Sequence, residues 1–258
     1  KPLTVFSRDG ETYRNATADY ALENTQGWWN KLVATDVDGD GDTDFVAGNL
    51  GLNYKFHASA EKPFYVFATD FDRNGSNDIF LAKENGDELK PIRGRECSSQ
   101  QVPGIADKFP SYNAFANADL EEIIDLERPD ALRYEAREFA SCWLENRDGQ
   151  LTLHRLPLET QFSVVNAIVP ADVNGDGRQD LVTAGNKFEV EIETTRADAG
   201  LGTLLLGGPT GFRTSPPAES GLSLPGNVKG LYSIGIGADR SPGILVAVNE
   251  GRLRLLEY

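Results

Sequence analysis

The chain has no methionine, only two cysteines and only two histidines in 258 residues, and it is short of base, with 25 Lys and Arg against 40 Asp and Glu for a net charge of −15. Each shortage excludes something. His57 and His154 stand in no motif: there is no His-Glu-x-x-His pair and no zinc-finger spacing, and elsewhere no Gly-x-Ser-x-Gly elbow and no phosphate loop. His57 follows Tyr54-Lys55-Phe56 in a loop. His154, in Leu151-Thr152-Leu153-His154-Arg155-Leu156, takes the polar phase of a strand and is expected to be exposed. No stretch approaches the ~18 apolar residues of a membrane-spanning helix. The acidic balance, without a basic patch interleaved with aromatics, argues against nucleic-acid partners and anionic membrane surfaces. The first residues are not a signal peptide, and the missing initiator Met leaves room for a leader removed upstream. Cys97 and Cys142 either form one disulfide or remain thiols, Cys142 adjoining an apolar face.

What the chain has in excess is aspartate, arranged in three loops of one design. They are Asp36-Val37-Asp38-Gly39-Asp40-Gly41-Asp42-Thr43-Asp44, Asp70-Phe71-Asp72-Arg73-Asn74-Gly75-Ser76-Asn77-Asp78 and Asp172-Val173-Asn174-Gly175-Asp176-Gly177-Arg178-Gln179-Asp180. Each has Asp at positions 1 and 9, Asp or Asn at 3 and 5, and Gly at 6. Alternating hard oxygen ligands around a sharp glycine turn are the pattern for Ca²⁺. An EF-hand would need a bidentate Glu at position 12 between two helices, but position 12 is Ala47, Leu81 and Thr183. The flanks, such as Phe64-Tyr65-Val66-Phe67-Ala68-Thr69 before and Leu181-Val182-Thr183-Ala184 after, are short, apolar and β-branched or aromatic, which predicts strands. Each unit therefore reads as a β-hairpin whose turn is built round an ion.

The spacing assigns the ligands. Side chains at positions 1, 3, 5 and 9 are Asp36, Asp38, Asp40 and Asp44; Asp70, Asp72, Asn74 and Asp78; and Asp172, Asn174, Asp176 and Asp180. Position 7 (Asp42, Ser76, Arg178) offers its backbone carbonyl, so its side chain is free to vary. The first loop has four ligand carboxylates and is expected to bind tightest. Three divalent ions would offset six of the fifteen surplus negative charges. Loops of modest affinity suit millimolar extracellular Ca²⁺, which predicts secretion or display at a cell surface.

These hairpins, with Gly48-Asn49-Leu50-Gly51-Leu52-Asn53 and Gly185-Asn186 directly behind two of them, resemble the FG-GAP/VCBS repeat family, whose calcium hairpins also occur in integrin α-subunit propellers. Nearly the whole chain is similar to bacterial secreted VCBS-repeat proteins associated with an ASPIC/UnbV domain. The resemblance implies a mainly β fold, a β-propeller with structural calcium, and no defined activity. Inner strands are expected near residues 28–36, 63–70, 163–172 and 230–238, the fourth in a blade that has lost its metal, with two outer strands at Leu3–Ser7 and Glu11–Thr17. About four blades are therefore expected, read as the C-terminal part of a seven-bladed propeller. The remaining blades would lie in further chain or a partner chain. A small closed propeller is the alternative.

The repeat is broken between residues 84 and 146. The first two loops start 34 residues apart, the second and third 102. Residues 118–125 and 130–144 read as helices of an inserted subdomain within one propeller domain, the second with Leu132, Ala136, Phe139, Ala140 and Trp143 at helical spacing. That subdomain either packs on one rim or caps a ligand site. Arg93–Gln101 reads as a solvated connection or a binding loop. Residues 186–200 alternate so that Glu189, Glu191 and Glu193 share a strand face, with Glu193, Arg196 and Asp198 in a polar cluster. Three functions fit these features: a binding or adhesion module for a protein or glycan, part of a carbohydrate-active enzyme such as a polysaccharide lyase, or a structural surface component. A carboxylate pair for glycoside chemistry has too many candidates among 40 acidic residues to be named.

Overall fold

The apolar runs on either side of each aspartate loop are too short for helices, and they pair with each other across the loop. The register puts Thr35 opposite Asp44, Thr69 opposite Asp78 and Ala171 opposite Asp180, so each loop is a hairpin tip. The computed structural model of the protein describes residues 1–191 and 193–258. Along the chain the strands and helices are β1 (Phe6–Asp9), β2 (Thr12–Asn15), β3 (Lys31–Thr35), β4 (Asp44–Gly48), β5 (Phe64–Thr69), β6 (Asp78–Asn85), β7 (Glu88–Pro91), α1 (Arg95–Gln101), α2 (Gly104–Lys108), α3 (Tyr112–Asn117), α4 (Leu120–Ile123), β8 (Leu132–Ala136), β9 (Cys142–Arg147), β10 (Gln150–Arg155), β11 (Val165–Ala171), β12 (Asp180–Gly185), β13 (Thr203–Gly208), β14 (Gly211–Ser215), α5 (Pro217–Ser220), β15 (Val228–Ile236), β16 (Ser241–Val248) and β17 (Arg254–Glu257). The fold is mainly β, built from antiparallel sheets of three or four strands and one two-stranded hairpin, β1–β2.

The chain divides into two compact units. One comprises Lys1–Pro2, Asn24–Gly27 and Ala58–Glu138; the other comprises Leu3–Glu23, Trp28–His57 and Phe139–Tyr258. The larger unit holds three sheets, ordered β3-β4-β9-β10, β11-β12-β13-β14 and β15-β16-β17. Strand β11 lies beside β3 on one side and β15 on the other. Val46, Trp143, Ile168, Leu181 and Leu205 fill the space between the first two sheets, and Val182, Leu204, Val228, Leu231 and Val246 that between the second and third. Leu181 and Leu205 are wholly buried, each contributing about 1.5–3 kcal/mol by area. Residues Leu3, Val5, Tyr20 and Leu22 cover the other side of the first sheet against Ala47 and Leu144.

The Gly-Asn pairs behind the first and third hairpins lock these sheets together. A Cβ on Gly48 would sit 2.6 Å from the Val165 carbonyl oxygen, and one on Gly185 would fall 1.6 Å from that of Val164, so backbone crosses backbone at both points. The following asparagines are buried and fully used. Asn49 Oδ1 accepts from the Trp28 and Leu50 amides, and its Nδ2 donates to the Ala140 carbonyl. Asn186 Oδ1 accepts from the Gly200 amide and the Ser163 hydroxyl, while its Nδ2 donates to the Gly200 and Gly226 carbonyls.

In the smaller unit the sheet is β7-β6-β5-β8, with α1–α4 on one face. Tyr65, Phe67, Phe80 and Ala82 meet Ile105, Phe109, Phe115, Leu120 and Ile123 there. Helix α4 starts with a capping box: Asp119 accepts from the Glu122 amide, and Glu122 accepts from that of Asp119. It falls inside the helix expected at 118–125.

The helix expected over 130–144 does not form. Residues Leu132–Ala136 pair with β5, and Cys142–Arg147 pair with β4. Ala136, Phe139, Ala140 and Trp143 are buried, but on two strands and their connection, and Leu132, the first residue of the expected stripe, is exposed. The open edges of β4 and β5 outweigh local helix preference, which is worth only tenths of a kcal/mol per residue. Helical structure in the 84–146 segment is thus confined to residues 95–123, flanked by strands. Both cysteines are thiols, not a disulfide, Cys142 buried in β9.

Residues 186–200 form no strand among the described positions; Ile192, within that run, lies outside them. A single bridge, Lys187 to Ala197, closes the segment. Glu189 holds it down, accepting from the Asn227 and Asn249 amides at 2.6 Å each and from Lys229 Nζ at 3.1 Å. The Asn227 hydrogen bond, with help from Lys229, lowers the Glu189 pKa to about 2. A depressed carboxyl pKa adds stability that is present above the unfolded value of ~4.3 and is lost as pH falls toward about 2. Glu189→Gln should therefore lower the melting temperature most above pH 5, and the gap from the parent should close between pH 5 and 2. A gap that is constant with pH in thermal melts would contradict this.

Candidate metal centres

The three aspartate loops share one hydrogen-bond scaffold. The position-1 carboxylate accepts the position-6 amide in each: Gly41 to Asp36 (3.1 Å), Gly75 to Asp70 (2.8 Å) and Gly177 to Asp172 (2.9 Å). The position-3 side chain accepts the position-5 amide, and the position-5 side chain accepts the position-7 amide, again in all three. Asp36, Asp38 and Asp40, and their counterparts Asp70, Asp72 and Asn74, and Asp172, Asn174 and Asp176, are thereby each oriented by a backbone N–H. The turn needs left-handed backbone at position 6, where Gly41, Gly75 and Gly177 have φ of 94°, 94° and 84°.

Position 9 does a second job. Asp44, Asp78 and Asp180 are buried, and each accepts the position-2 amide through Oδ2: Val37 at 2.8 Å, Phe71 at 2.9 Å and Val173 at 3.0 Å. Two of them also reach a neighbouring strand. Asp44 Oδ1 accepts from the Asn146 amide at 2.7 Å, and Asp180 Oδ1 from that of Gly207 at 2.9 Å. Burial raises the pKa of Asp44 and Asp78 despite these donors. For Asp70 burial acts the same way but is outweighed by the amides of Gly75, Asn74 and Arg73, and its pKa is lowered.

Position 7 behaves as a main-chain position. The Asp42 carboxylate turns to the Asp148 amide at 3.0 Å, and Ser76 and Arg178 are exposed. Carboxylate oxygens of Asp36, Asp38 and Asp40 lie within 4.8 Å of one another, as do those of Asp70, Asp72 and Asp78. In the third loop the Asn174 amide donates to Asp176 Oδ2 at 3.1 Å, a neutral partner where the first loop has a carboxylate. Oxygen-only donor sets of this kind could hold a hard divalent cation.

Each loop is also bolted from outside by residues that spacing alone did not reveal. Asn146 Nδ2 donates to the Thr43 carbonyl beside the first loop. Arg128 donates to the Asp70 carbonyl and forms a forked pair with Asp130 at 2.9 and 2.6 Å, and Asp130 accepts from Thr69. The Arg128 hydrogen bond lowers the Asp130 pKa to about 2. Asn146 sits at the tip of the β9–β10 hairpin, whose two-residue turn is Asp148-Gly149, with φ of 52° and 83°. Asp-Gly is a hairpin signal that the helical reading of the preceding residues concealed.

Two further sequence candidates make structural contacts. Arg93–Gln101 is largely helix α1, where Arg95 donates to the Phe109 and Ala106 carbonyls and Gln101 exchanges two hydrogen bonds with the Ile79 backbone. His154 stacks on Trp143 with 4.8 Å between ring centroids and lies 3.0 Å from Glu145 Oε2. Comparison of the chain with protein-family models and with curated proteins gives no match.

The loops differ at position 4. It is left-handed in all three, with Gly39 at φ 80° and Gly175 at 73°, but the second loop has Arg73 at 62°. A non-glycine residue there costs about 1–2 kcal/mol, partly offset by its smaller entropy loss on folding. Arg73→Gly should therefore stabilise the protein by about 0.5–1 kcal/mol, and Gly39→Ala should destabilise it by a similar amount. Urea midpoints of the two variants check both signs, and a lower midpoint for Arg73→Gly would contradict the strain.

Proposed function

We propose that the protein is an extracellular calcium-stabilised β-propeller of the FG-GAP/VCBS kind, acting as a binding or adhesion module for a protein or glycan partner. The observation that carries this reading is the common scaffold of the three loops, in which backbone amides orient the side-chain oxygens at positions 1, 3 and 5, and in two loops three carboxylates lie within 4.8 Å of one another. Like charges held this close repel, and a divalent cation would remove that cost. Ca²⁺ suits the donors better than Mg²⁺, because it accepts 6–8 oxygens in flexible geometry. Asp36, Asp38 and Asp40, with Asp44 behind them, would hold the first ion. Asp70, Asp72, Asn74 and Asp78 would hold the second, and Asp172, Asn174, Asp176 and Asp180 the third. Asp42, Ser76 and Arg178 would lend their carbonyls.

The propeller reading is supported by the larger unit. Its three sheets each begin with a strand placed beside the first strand of the next, and two have the four strands usual for a blade. The ion then acts as a staple at the blade's hairpin tip. Chemistry is left to the loops at the other ends of the strands, where the Gly-Asn pairs fix the backbone.

Chelation tests the reading. After metal removal verified by elemental analysis, the melting temperature should fall and return with Ca²⁺, because each site at a hundredfold excess over its Kd adds about 2.7 kcal/mol. Titration calorimetry should count three ions, and Asp36→Ala should leave two. An unchanged melting temperature after complete metal removal would sink the proposal.

A further inference from the structure

In the larger unit, two loops distant in sequence face each other across a cavity of about 520 Å³, within the ~300–1,000 Å³ range of ligand clefts. Its walls include Tyr54, Lys55, His57, Phe162, Arg196 and Asp198. Two permanent cations thus face one carboxylate, in a chain whose net charge is −15. Glu191 is close enough to raise the pKa of Tyr54, though burial is the larger cause. Both cations are propped from behind. Lys55 Nζ donates to the Glu193 carbonyl at 3.0 Å and sits 5.3 Å from the Phe56 ring centre. The Arg196 guanidinium lies 5.5 Å from the Phe188 ring centre and has no hydrogen-bond acceptor or ion-pair partner among the described residues. Its fork of donors therefore stands open beside the cavity.

A second cavity, of about 310 Å³, shares Phe162 and Ala199 with the first. Its character is different: Leu201, Leu204, Leu222, Pro216 and Pro217 line it, and its one charged group, Glu159, is engaged by the Thr214 hydroxyl at 2.8 Å. Phe162 and Leu201 are 44% and 51% exposed, which leaves large apolar side chains uncovered where the two chambers join.

We propose that this two-chambered cleft binds an extended peptide, with an acidic side chain between Lys55 and Arg196 and an apolar side chain in the chamber beyond Phe162. The pairing of chambers chooses the ligand. A carboxylate matches the guanidinium fork and the lysine, while Asp198 is placed to accept a peptide N–H. A saccharide would set much of its hydroxyl-bearing surface against leucine and proline, because the exposed lining of this chamber is mostly apolar despite Thr203, Ser215 and Ser220. Because the chambers share a wall and a peptide advances ~3.3–3.6 Å per residue, the acidic and apolar residues should lie one to three positions apart.

The proposal rests on the binding-module reading and is tested on the whole chain in calcium buffer. One array carries pentapeptides with Asp or Glu and Leu, Phe or Trp at separations of one to three. Matched arrays replace the carboxylate by its amide or the apolar residue by Ser, and a further set displays oligouronates and neutral oligosaccharides. The acidic–apolar peptides should be retained above both controls. Arg196→Glu should weaken retention by about tenfold or more, the equivalent of one charge-assisted hydrogen bond, without changing the melting temperature, and Lys55→Glu should weaken it as much while also losing the Glu193 contact. Arg196→Gln serves if the charge reversal disturbs folding. Retention that ignores these variants, or equal retention of the amide peptides, would overturn the proposal. Preferential retention of saccharides would overturn it while leaving the binding-module reading intact. Silence on every array, with three calcium ions still bound, would remove the cleft as a site and keep only the calcium scaffold.

Discussion

The buried position-9 carboxylate is the contact on which the hairpin units depend. In each aspartate loop it reaches back across the turn to the position-2 amide, so the two strands cannot separate without exposing an unpaired N–H and stranding a charge. Asp44 and Asp180 go further and catch the amide of a neighbouring strand or hairpin, Asn146 and Gly207. One side chain thereby sets hairpin register, turn shape and lateral pairing together. A carboxylate suits this because it can accept several hydrogen bonds at once, with lone pairs left over. The cost is burial of an acid among other acids, seen in the raised pKa of Asp44 and Asp78. Where the other acids converge, a cation would resolve a conflict that the fold itself creates.

That arrangement separates two roles usually run together in a metal loop. Positions 1, 3 and 5 belong to the solvent side of the turn, and their geometry is set by short-range amide contacts. Position 9 belongs to the core, fixed by the sheet. The third loop shows that the first role can be softened, with Asn174 donating to Asp176, while the second is kept. The β15–β16 hairpin has a single acid in its turn, Asp239, which accepts from the Ser241 hydroxyl, and it turns through Gly237 and Arg240, both left-handed. The strands pair from Gly230 to the turn without the aspartate ligand set.

What could be read from the sequence was local. The hairpin at each aspartate loop, its strand flanks, the two short strands near the N-terminus and the helix at α4 each depend on residues within about ten positions of one another, and these expectations match the structure. The failures were non-local. Nothing near Leu132–Leu144 reveals that β5 and β4 offer open edges 68 and 95 positions upstream, between Val66 and Tyr134 and between Ala47 and Cys142. Those edges turned a helical stripe into two strands. The alternation at Glu189–Glu193 was likewise real as a pattern, but Glu189 found Asn227, Asn249 and Lys229 instead of a strand partner. The arginine and asparagine bolts on the loops were invisible for the same reason. Arg128 and Asn146 act on backbone carbonyls, which have no residue signature.

The same distinction explains where recognition would arise in such a scaffold. A hairpin held by its own carboxylate has a fixed tip, whose shape is kept while side chains such as Asp42, Ser76 and Arg178 at position 7 differ freely. The opposite ends of the strands are held by the Gly-Asn crossings instead, and those crossings restrain only the residue that enters each loop. Beyond Asn49 and Asn186 the chain has no repeated constraint. The segments 52–57 and 195–199 diverge completely in sequence, and they supply Lys55 and Arg196 from loops about 140 positions apart. A rigid end and a variable end on the same strands let acidic character serve stability at one while cations gather at the other. Eleven of the 40 acidic residues sit in the three hairpin tips, so the overall negative charge of the chain says little about the sign of the surface at the other end of the strands.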